Sequence, residues 1–591
     1  MAWVALGVGQ LVAGIGRPQG SPVAAVGSAA IDHTPPAIKN FAISAFGSHD
    51  KTVLIIGILV VLAVFSAAIG LAAMRNLRRG YVGLAIFAII GLAAALTRPN
   101  ATPWDALPTL IGALAGGYAL KLLVRAAGGR GRLGSASGQA AIPPPARPRG
   151  TAAQPDFIVP ADPALADPAP ADPAPADPAP ADPAPADSAL AGPAPSDRDP
   201  ADQAPADQAS APGSSDRPQP VSRARSGPPS GDPPRAPWQP GRRSFLTAGV
   251  IALAAGGVGT LAGRTLSERS SVSSALAHIR FPKAARPVPP LPSGVDLGIK
   301  GLSSFVTPSS SFYRVDTALI LPQVAPQTWQ LRIHGMVERE ITINFHELLK
   351  RPLIEAWITL CCVSNPVAGP YIGNAKWLGA SLADLLREAR PRAGADQLIC
   401  TSVDGFTSGT PLATVLDGRD ALLAVAMNGA PLPVAHGFPV RMVTPGLYGY
   451  VSATKWVTDI KVTTFRGNFA YWAQRGWSQR APIKTESRID VPLSSVSAGR
   501  TQVAGVAWAQ HKGIDAVHVR VDRGPWQQAR LAAVPGIDTW RQWAWEWDAT
   551  RGTHLIEARA TDATGYTQTA LQEPPEPNGA SGYPSVTVSV S

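Results

Sequence analysis

The chain has 591 residues, with 52 Lys and Arg against 41 Asp and Glu, which gives a formal net charge of +11. Its 57 Gly and 60 Pro make up about a fifth of the residues, and the excess over normal usage is concentrated in one region. Long apolar runs elsewhere exclude a wholly disordered protein. Three cysteines exclude a disulfide-stapled scaffold, and no Cys/His cluster has zinc-finger spacing. The basic residues are scattered and flank apolar segments, which favours membrane orientation over nucleic-acid binding.

Four apolar stretches predict membrane-spanning helices, because a span needs about 20 apolar residues. The predicted spans are residues 52–74, 81–96, 104–124 and 244–263. The N-terminal segment 1–16 is short for a span, and it is either a first helix or an interfacial segment. We therefore predict membrane helices over 1–126 and a further transmembrane anchor over 242–264.

Basic residues beside these spans predict their orientation, because positive charge accumulates on the cytoplasmic side. The loop between the first two spans holds three arginines between residues 75 and 79, and basic residues between 121 and 132 follow the third span. Arg242 and Arg243 precede the fourth span. Both loops are predicted to be cytoplasmic, and everything after residue 265 is predicted to lie outside.

Residues 127–241 are predicted to form a disordered cytoplasmic linker rich in Pro, Ala and Asp. Its centre repeats Ala-Asp-Pro-Ala-Pro with a period of five, a composition that cannot bury a core and favours extended conformers. Docking of a Pro motif is the alternative to a solvated spacer.

The residues that head the fourth span, Arg242-Arg243-Ser244-Phe245-Leu246, resemble a twin-arginine export signal. The alternative is that the two arginines only enforce the orientation of the helix. Twin-arginine export transports proteins that are already folded, often with a cofactor inserted. An internal signal here would therefore indicate a cofactor-bearing domain after residue 265.

From about residue 285 the pattern is that of a globular protein. Residues 326–349 alternate like strands and then turn helical, and residues 377–390 are typical of an amphipathic helix. Residues 397–465 return to short strands between Gly/Pro turns. Residues 490–591 hold only short alternating strands separated by turn signals, which predicts an all-β sandwich.

Two adjacent cysteines, Cys361 and Cys362, precede a run of Gly/Pro turns. Adjacent cysteines rarely bridge to each other, because disulfide geometry constrains both Cβ atoms. An exported thiol that is left unpaired oxidises unless it is buried or bound to a metal, and a thiolate is a natural ligand for a transition metal. Metal ligation and simple burial both stay open, whereas Cys400 is predicted to be a core residue.

A second candidate group is spread along Gly-rich turns and consists of His436, Arg441 and Lys455. Arg binds phosphate in a bidentate manner, Lys adds a point charge, and Gly permits close approach of the backbone. These residues suit an anionic, hydrogen-bonding ligand. A loop that carries solvated charges is the alternative.

Taken together and in order, these motifs resemble the molybdopterin domain of the sulfite oxidase family. They are CVSN at 362–365, VDGF at 403–406, HGFPVR at 436–441 and GYVSATKW at 449–456. Phe312-Tyr313-Arg314 is similar to the family's first pterin-contacting segment, and the β-rich tail, with AGVAWA and WRQWAWEWD, is similar to its immunoglobulin-like dimerisation domain. The likeness covers roughly residues 295–591, and the whole arrangement resembles membrane-anchored actinobacterial members.

The resemblance implies an α+β molybdopterin-binding catalytic domain over 285–470 and an immunoglobulin-like, dimerisation-type all-β sandwich over 485–591. It makes Cys362 the molybdenum ligand, because Asn365 follows three residues later, and it makes Cys361 a structural neighbour. Cys362 and Arg314 are the implied catalytic residues. The implied contacts to the molybdenum–molybdopterin cofactor are Ser310, Tyr313, Arg314, Cys362, Ser402, His436, Arg441, Ala453, Thr454 and Lys455.

One departure from the family pattern bears on the reaction. Sulfite-oxidising members place arginines shortly after this cysteine segment, whereas Pro366 and Val367 follow Asn365 here. A pocket without those donors is expected to bind sulfite poorly, because desolvating an oxyanion without partners is costly. A bacterial branch of the family reduces methionine sulfoxide, a neutral substrate, and both reactions stay open.

We therefore expect a membrane-anchored molybdopterin-dependent oxidoreductase that transfers an oxygen atom at the outer face of the cytoplasmic membrane. It would act on a small-molecule or protein-bound substrate and exchange electrons with an external carrier. The resemblance alone implies a homodimer, and no nucleic acid is expected as a partner. The alternative is a non-catalytic, membrane-tethered binding or assembly module, against which the retained Cys362 and its His/Arg/Lys set argue.

Overall fold

The computed structural model describes residues 1–16, 20–35, 50–98, 101–127, 242–268 and 278–591, together with positions 38, 272 and 276. Apart from Ala127, the predicted linker 127–241 lies outside the described residues, so it stays a prediction. Arg242 begins a described helix. That Arg242 and Arg243 form a twin-arginine export signal also stays a prediction.

The N-terminal region is helical, as predicted. Its described helices are α1 (Ala2–Ile15), α2 (Pro22–His33), α3 (Asp50–Arg75), α4 (Leu77–Leu96), α5 (Leu107–Ala127, entered by a 3-10 turn at Pro103–Ala106) and α6 (Arg242–Glu268). Among the described residues, three helices are long and apolar enough to cross a membrane, namely Val53–Arg75, Leu77–Leu96 and Pro103–Ala127. They correspond to the first three predicted spans. In α6 the apolar stretch found is the shorter Gly249–Gly263, so the fourth span stays a prediction.

Helix α1 packs against α5 and α6 through glycines. A methyl group at Gly7 would overlap the backbone of Gly256, and one at Gly112 would lie 2.5 Å from the carbonyl oxygen of Ala5. Small residues at such contacts let helix backbones approach closely. The segment 1–16, which the sequence left undecided, is therefore a helix of this bundle.

The central domain contains two β-sheets and short helices. Its strands are β1 (Gln330–Gly335), β2 (Ile341–Asn344), β3 (Leu353–Cys361), β4 (Ile372–Ser381), β5 (Gln397–Ser402), β6 (Thr407–Pro411), β7 (Leu422–Met427), β8 (Ala430–Pro431), β9 (Arg441–Val443) and β10 (Val457–Thr463). Its helices are α7 (Phe345–Leu349), α8 (Leu382–Ala389), α9 (Leu412–Leu416) and α10 (Gly449–Ser452), with 3-10 turns at Val434–His436 and Ala473–Arg475.

The two sheets of this domain bring distant parts of the chain together. One has the strand order β2-β1-β10-β5-β6, and the other has the order β3-β4-β7-β8, with β9 paired to β7. Strands β1 and β10 are parallel, while β3 and β4 are antiparallel. This arrangement places the end of β3, the start of β9 and the turn before β10 near one another, and these points carry the predicted site residues.

The predicted strands and helix within 326–349 are confirmed as β1, β2 and α7. The predicted amphipathic helix over 377–390 is partly wrong, because Trp377–Ser381 belong to β4 and pair with β3 and β7. The Trp377 side chain is fully buried, and its indole N–H donates to the Ile358 carbonyl at 3.0 Å. Sheet pairing and burial therefore override the helical pattern, and α8 begins only after Ser381, whose hydroxyl accepts a hydrogen bond from the Asp384 amide.

The C-terminal region is an all-β sandwich, as predicted. Its strands are β11 (Glu486–Val491), β12 (Ser495–Val496), β13 (Gly499–Trp508), β14 (Ile514–Val521), β15 (Gln527–Gln528), β16 (Arg530–Leu531), β17 (Arg541–Ala549), β18 (Gly552–Asp562) and β19 (Ser585–Val590). The sheets have the orders β11-β13-β17-β16 and β12-β19-β18-β14-β15. They enclose one core that includes Val503, Val517, Trp543 and Ile556. Its immunoglobulin-like, dimerising character stays a prediction.

The sandwich holds strand β3 of the central domain through hydrogen bonds to Thr359. The Thr359 amide donates to the Asp538 carbonyl at 2.9 Å, and its hydroxyl accepts from the Trp540 amide at 2.8 Å. The Gln510 side chain donates to the Thr359 carbonyl at 3.2 Å. Because β3 ends at Cys361, these contacts fix the strand that carries the two cysteines.

Candidate functional site

The two adjacent cysteines have different surroundings. Cys361 is the last residue of β3 and is fully buried in an apolar cluster that includes Phe305 and Trp508. Cys362 follows the strand, and its Sγ lies 3.5 Å from the Ser364 hydroxyl. Burial raises the pKa of both thiols, and the Ser364 hydrogen bond opposes this rise at Cys362. Cys361 is therefore a core residue.

The loop after Cys362 is held by Asn365. The Asn365 amide donates to the Cys362 carbonyl at 3.1 Å, and its side-chain oxygen accepts from the Tyr371 amide at 2.7 Å. The Cys362 amide in turn donates to the Tyr371 carbonyl at 2.9 Å. The other polar atom of the Asn365 side chain, Nδ2, is buried and has no hydrogen-bond partner among the described residues.

The segment before β1 brings Tyr313 to the cysteines. Tyr313 stacks on the buried Phe312 with a ring separation of 5.3 Å. Burial first, and then the nearby Cys362, raise the pKa of Tyr313 well above its ordinary value. Two other predicted residues of this segment, Ser310 and Arg314, are exposed, and 40% of the Arg314 side-chain surface is accessible.

His436 lies beside this segment as a neutral hydrogen-bond donor. Its Nε2 is 3.1 Å from the Ser309 carbonyl, and because a carbonyl only accepts, Nε2 carries the hydrogen. The ring meets Phe312 edge to face at 5.6 Å. Burial, followed by the positive charges of Arg441 and Lys455, lowers the pKa of His436 to about 4. His436 is therefore uncharged at neutral pH.

Arg441 is a buried cation whose side chain is only partly satisfied. Its two terminal nitrogens donate to the carbonyls of His436 at 3.2 Å and Ala453 at 3.3 Å. The guanidinium lies 5.1 Å from the centre of the Trp377 ring. Its Nε is buried without a hydrogen-bond partner among the described residues, and burial lowers the pKa of Arg441 to about 10.

Gly437 allows the two basic side chains to approach each other. It has a φ of +107°, and a Cβ there would lie 3.0 Å from the Cβ of Arg441 and 3.1 Å from the Cβ of Lys455. A larger residue would be strained in this backbone conformation and would push the two stems apart. This gives a physical reason for glycine in the HGFPVR motif.

Lys455 pairs with a carboxylate that the sequence analysis did not identify. Its Nζ lies 2.8 Å from Oδ2 of Asp316, whose side chain is only 4% exposed. The same oxygen lies 2.8 Å from Nε of Arg314. Burial lowers the pKa of Lys455 to about 8, and the attraction of Asp316 opposes that shift.

The other residues predicted to contact the cofactor lie near this group, and their polar atoms form hydrogen bonds within the protein. The Thr454 hydroxyl is 2.6 Å from the Ser408 hydroxyl in the interior. Ser402 is buried at the end of β5, and its hydroxyl accepts from the Asp404 amide at 3.4 Å. Ala453 contributes its carbonyl to Arg441. The structure therefore brings together Cys362, Tyr313, His436, Arg441 and Lys455 most directly, and their contacts with a cofactor stay predictions.

The sequence analysis missed several residues that shape this site. They are Ser309, Asp316, Asn428, Tyr371 and Trp377. A carboxylate two residues after Arg314 was a visible signal for Asp316. The others support the site through a backbone carbonyl, a buried ring or the Asn428 amide, which donates to the Thr307 carbonyl at 3.0 Å. Such roles depend on strand register and have no sequence signature.

The chemistry of the site fits an anionic, hydrogen-bonding cofactor held beside a thiol. Arg441 Nε and Asn365 Nδ2 are buried donors, and leaving a buried donor unpaired costs about 1–3 kcal/mol, so a ligand that accepts from them would stabilise the site. Lys455 and Arg441 supply positive charge, and Cys362 supplies a soft ligand for a transition metal. Among the described residues there is no group of three or more His, Cys, Asp or Glu side chains that could hold a metal ion.

Comparison with known proteins agrees with this chemistry. The family described as "Oxidoreductase molybdopterin binding domain" matches residues 318–472. Chicken (Gallus gallus) sulfite oxidase is 31% identical over 315 residues, which cover 44% of this chain and 67% of that protein. The "Uncharacterized oxidoreductase YuiH" of Bacillus subtilis is 31% identical over 152 residues, covering 26% of this chain and 73% of that protein.

Other relatives match over a smaller share of their length. Rat (Rattus norvegicus) mitochondrial sulfite oxidase is 28% identical, and the chain spans about half of it, 52%. Among solved structures, the sulfane dehydrogenase SoxCD of Paracoccus pantotrophus aligns with 23% identity over 46% of this chain and 76% of that one, at a TM-score of 0.41. The sequence relatives and the matched domain together show that the chain belongs to the sulfite oxidase family of molybdenum-cofactor oxidoreductases.

Proposed function

We propose that this protein is a membrane-anchored enzyme that reduces S-oxides by oxygen-atom transfer at the outer face of the cytoplasmic membrane. The observation that carries the proposal is the group formed by Cys362, His436, Arg441 and Lys455, in which a buried thiol lies near two cations and the buried Nε of Arg441 has no hydrogen-bond partner among the described residues. A purely structural or adhesive module gains nothing from burying these groups together.

Each residue has a distinct role toward the cofactor. Cys362 would hold the molybdenum, and the bound cofactor supplies two-electron oxygen-atom transfer. Arg441 and Lys455 would bind the pterin phosphate, since Arg offers a fixed fork of donors and Lys a point charge. His436, neutral because its pKa is about 4, would donate or accept a hydrogen bond without adding charge.

The residues after the cysteine segment favour an S-oxide over sulfite as the substrate. The residues that follow Asn365 are Pro366 and Val367, which offer no side-chain donor to an oxyanion. Reduction of an S-oxide to a sulfide consumes two electrons and two protons and releases water. The electrons would come from an external carrier, and the substrate is a small molecule or a protein-bound sulfoxide.

The packing of the helices supports attachment to the membrane. The α3 side chains Val60, Val61, Val64 and Phe65 are each more than half exposed, as expected for side chains that face lipid. Helix α2 packs through Ala25 on Ala94 and Ala95, at the end of α4 that is opposite the predicted cytoplasmic arginines.

The position of the catalytic domain supports the outer-face location. A methyl group at Gly27 of α2 would lie 2.6 Å from Cδ1 of Leu319, so α2 contacts the segment that leads from the site into the domain. Because α2 lies at the end of the bundle away from the basic loop between residues 75 and 79, the catalytic domain lies at that end as well. This agrees with the positive-inside orientation.

Steady-state assays of the purified holoenzyme test the substrate. With a reduced artificial donor, methionine sulfoxide, free or within a peptide, should be turned over. With an oxidised acceptor, sulfite should react at least about 100-fold less efficiently, since losing oxyanion contacts of a few kcal/mol gives a factor of this order. Efficient sulfite oxidation without sulfoxide reduction would contradict the proposal.

Reporter fusions test the orientation independently. Fusions after residue 130 and after residue 300 should report opposite sides of the membrane, with the second one outside. Replacing both Arg242 and Arg243 with Lys should block export of the folded domain if they form a twin-arginine signal. Unchanged export in that variant would leave orientation by positive charge as the only role of these arginines.

A further inference from the structure

The outer face of one sheet of the sandwich carries charged side chains that have no part in the site around Cys362. On β14 Val517 and Val519 lie in the sandwich core, and on β18 Ala558 does. Because successive side chains of a strand point to opposite faces, the residues next to them lie on the outer face. The charged and titratable members of this outer face on the two strands are His518, Arg520, Glu557 and Arg559.

The register of the two strands gives the two arginines different partners. Arg520 lies directly opposite Glu557, and its Nε lies 2.8 Å from the Glu557 carboxylate. Arg559 lies directly opposite His518, and its side chain forms no hydrogen bond or ion pair with any other of the described residues. Side chains that face each other across such a pair are neighbours. The positive charge of Arg559 is therefore left uncompensated.

His518 and Arg559 each carry a buried nitrogen that lacks a partner. They are Nδ1 of His518 and Nε of Arg559, both closed to solvent and unpaired within the part of the chain that the structure describes. Burial, followed by the charge of Arg559, lowers the pKa of His518, so its ring is neutral at neutral pH and either nitrogen can carry the hydrogen. Unpaired buried polar groups are costly, and here two of them belong to directly opposed residues. A single acceptor bound between the two side chains would satisfy both.

Aromatic rings hold Arg559 without supplying that acceptor. The guanidinium carbons of Arg520 and Arg559 each lie 4.4 Å from the centre of the Trp526 ring, and the Tyr583 ring meets Trp526 edge to face at 5.3 Å. The indole N–H can only donate a hydrogen bond. The terminal nitrogens of Arg559 are not closed to solvent as its Nε is, so a ligand can reach the guanidinium from outside.

We propose that His518 and Arg559 form a binding site for an oxyanion, a phosphate or carboxylate group, on the outer face of the β-sandwich. The guanidinium offers a planar fork of donors that matches two oxygens of such a group. Its charge balances that of the anion, and His518 adds a further hydrogen bond. This site goes beyond the proposed function, since neither residue serves oxygen-atom transfer.

Calorimetric titration of the full-length, molybdenum-loaded protein tests the site. Sodium phosphate and sodium acetate are titrated separately, because they distinguish a phosphoryl from a carboxylate ligand. At least one of them should bind the wild type, and Arg559→Gln should bind it at least about tenfold more weakly, since charge-assisted hydrogen bonds are lost. The matched control is Arg530→Gln, at an exposed arginine of β16 in the other sheet, which should leave the affinity unchanged.

Second measurements separate the fork of donors from charge and from folding. Arg559→Lys keeps the charge but loses the planar fork, so its affinity should lie between those of the wild type and Arg559→Gln. His518→Phe keeps a ring but removes both nitrogens, and it should weaken binding severalfold. Phenylglyoxal, which modifies arginines, needs no substitution. The bound anion should slow modification of Arg559 in the wild type severalfold and leave that of Arg530 unchanged, as mapped by peptide mass spectrometry.

Three results would overturn the inference. The first is that neither phosphate nor acetate binds the wild type. The second is an unchanged affinity for both anions in folded Arg559→Gln. The third is that the bound anion does not protect Arg559 from phenylglyoxal, an outcome that stays decisive should Arg559→Gln fail to fold. None of these measurements involves turnover, so they are distinct from a failure of the proposed function.

Discussion

At the scale of single residues, His436 shows how burial sets the charge of the site. It is 6% exposed, and its pKa is about 4 in the folded protein against 6.5 for an ordinary histidine. Between these values the unfolded chain binds more protons than the folded one. The contribution of His436 to the free energy of unfolding is therefore constant above about pH 6.5, and it decreases as the pH falls toward 4.

Replacing His436 with Gln should remove this pH dependence. In cofactor-free protein, we expect the wild type to lose about 2 kcal/mol more of its unfolding free energy than His436→Gln between about pH 7.5 and about pH 5. Urea titrations followed by tryptophan fluorescence at the two pH values measure the difference. His346→Gln, at an exposed histidine of α7, is the control and should behave like the wild type. Parallel pH profiles of wild type and His436→Gln would show that the histidine is not buried as described.

Some candidate residues could be singled out from the sequence and others could not, for physical reasons. Cys362, His436, Arg441 and Lys455 were singled out because their chemistry and motifs are visible in the chain, and their roles toward a cofactor stay predictions. The sequence placed Trp377 in a helix, because apolar residues recur at helical spacing after it. Only the pairing of β4 with β3 shows that its ring lies against the Arg441 guanidinium. Contacts that depend on register between distant strands leave no local signal.

At the scale of elements, strand β11 of the sandwich supports the loop that follows Cys362. Arg488 of β11 donates to the Gly369 carbonyl at 3.1 Å, to the Ser303 hydroxyl at 2.8 Å and to Asp490 at 2.6 Å. Both members of the ion pair are nearly buried, with 12% and 8% of their side chains exposed. The sandwich is therefore part of the structure that positions the site.

Replacing Arg488 with Met should destabilise the protein and loosen this loop. Breaking a buried pair by removing one partner typically costs about 3–5 kcal/mol, so we expect a clear drop in Tm together with reduced retention of molybdenum. The control is Arg500→Met on β13, whose side chain is 74% exposed and whose loss should have little effect. Equal effects of the two substitutions on Tm would contradict a supporting role for β11.

Among the apolar helices of the N-terminal bundle, the close contact between α1 and α6 depends on glycines, which have no side chain. At Gly256 a methyl group would lie 2.6 Å from the Trp3 carbonyl oxygen, whereas at Gly70 of α3 no atom lies within 4 Å of such a group. Replacing Gly256 with Val should therefore force the helices apart and cost about 1–3 kcal/mol, while Gly70→Val should be tolerated. Thermal aggregation in detergent compares the two variants, and equal stability would show that α1 and α6 do not pack closely.

At the scale of the whole molecule, the order of apolar helices, mixed domain of sheets and short helices, and C-terminal β-region was predictable from sequence, since hydropathy and periodicity change sharply between these regions. The packing of segment 1–16 within the bundle was not predictable from its length alone, because it depends on glycines of α5 and α6 more than 100 residues away. The contact of α2 with Leu319, which relates the bundle to the catalytic domain, likewise joins residues far apart in the chain.

The central claim is that Cys362, and not its neighbour Cys361, holds a molybdenum cofactor in this chain. The most direct measurement is the molybdenum content per chain of purified, folded wild type, Cys362→Ser and Cys361→Ser. We predict about one molybdenum per chain in the wild type and in Cys361→Ser, since Cys361 lies fully in the core, and a nearly complete loss in Cys362→Ser, since hydroxyl is a poor substitute for thiolate. Full molybdenum in Cys362→Ser, or its loss only in Cys361→Ser, would contradict the account.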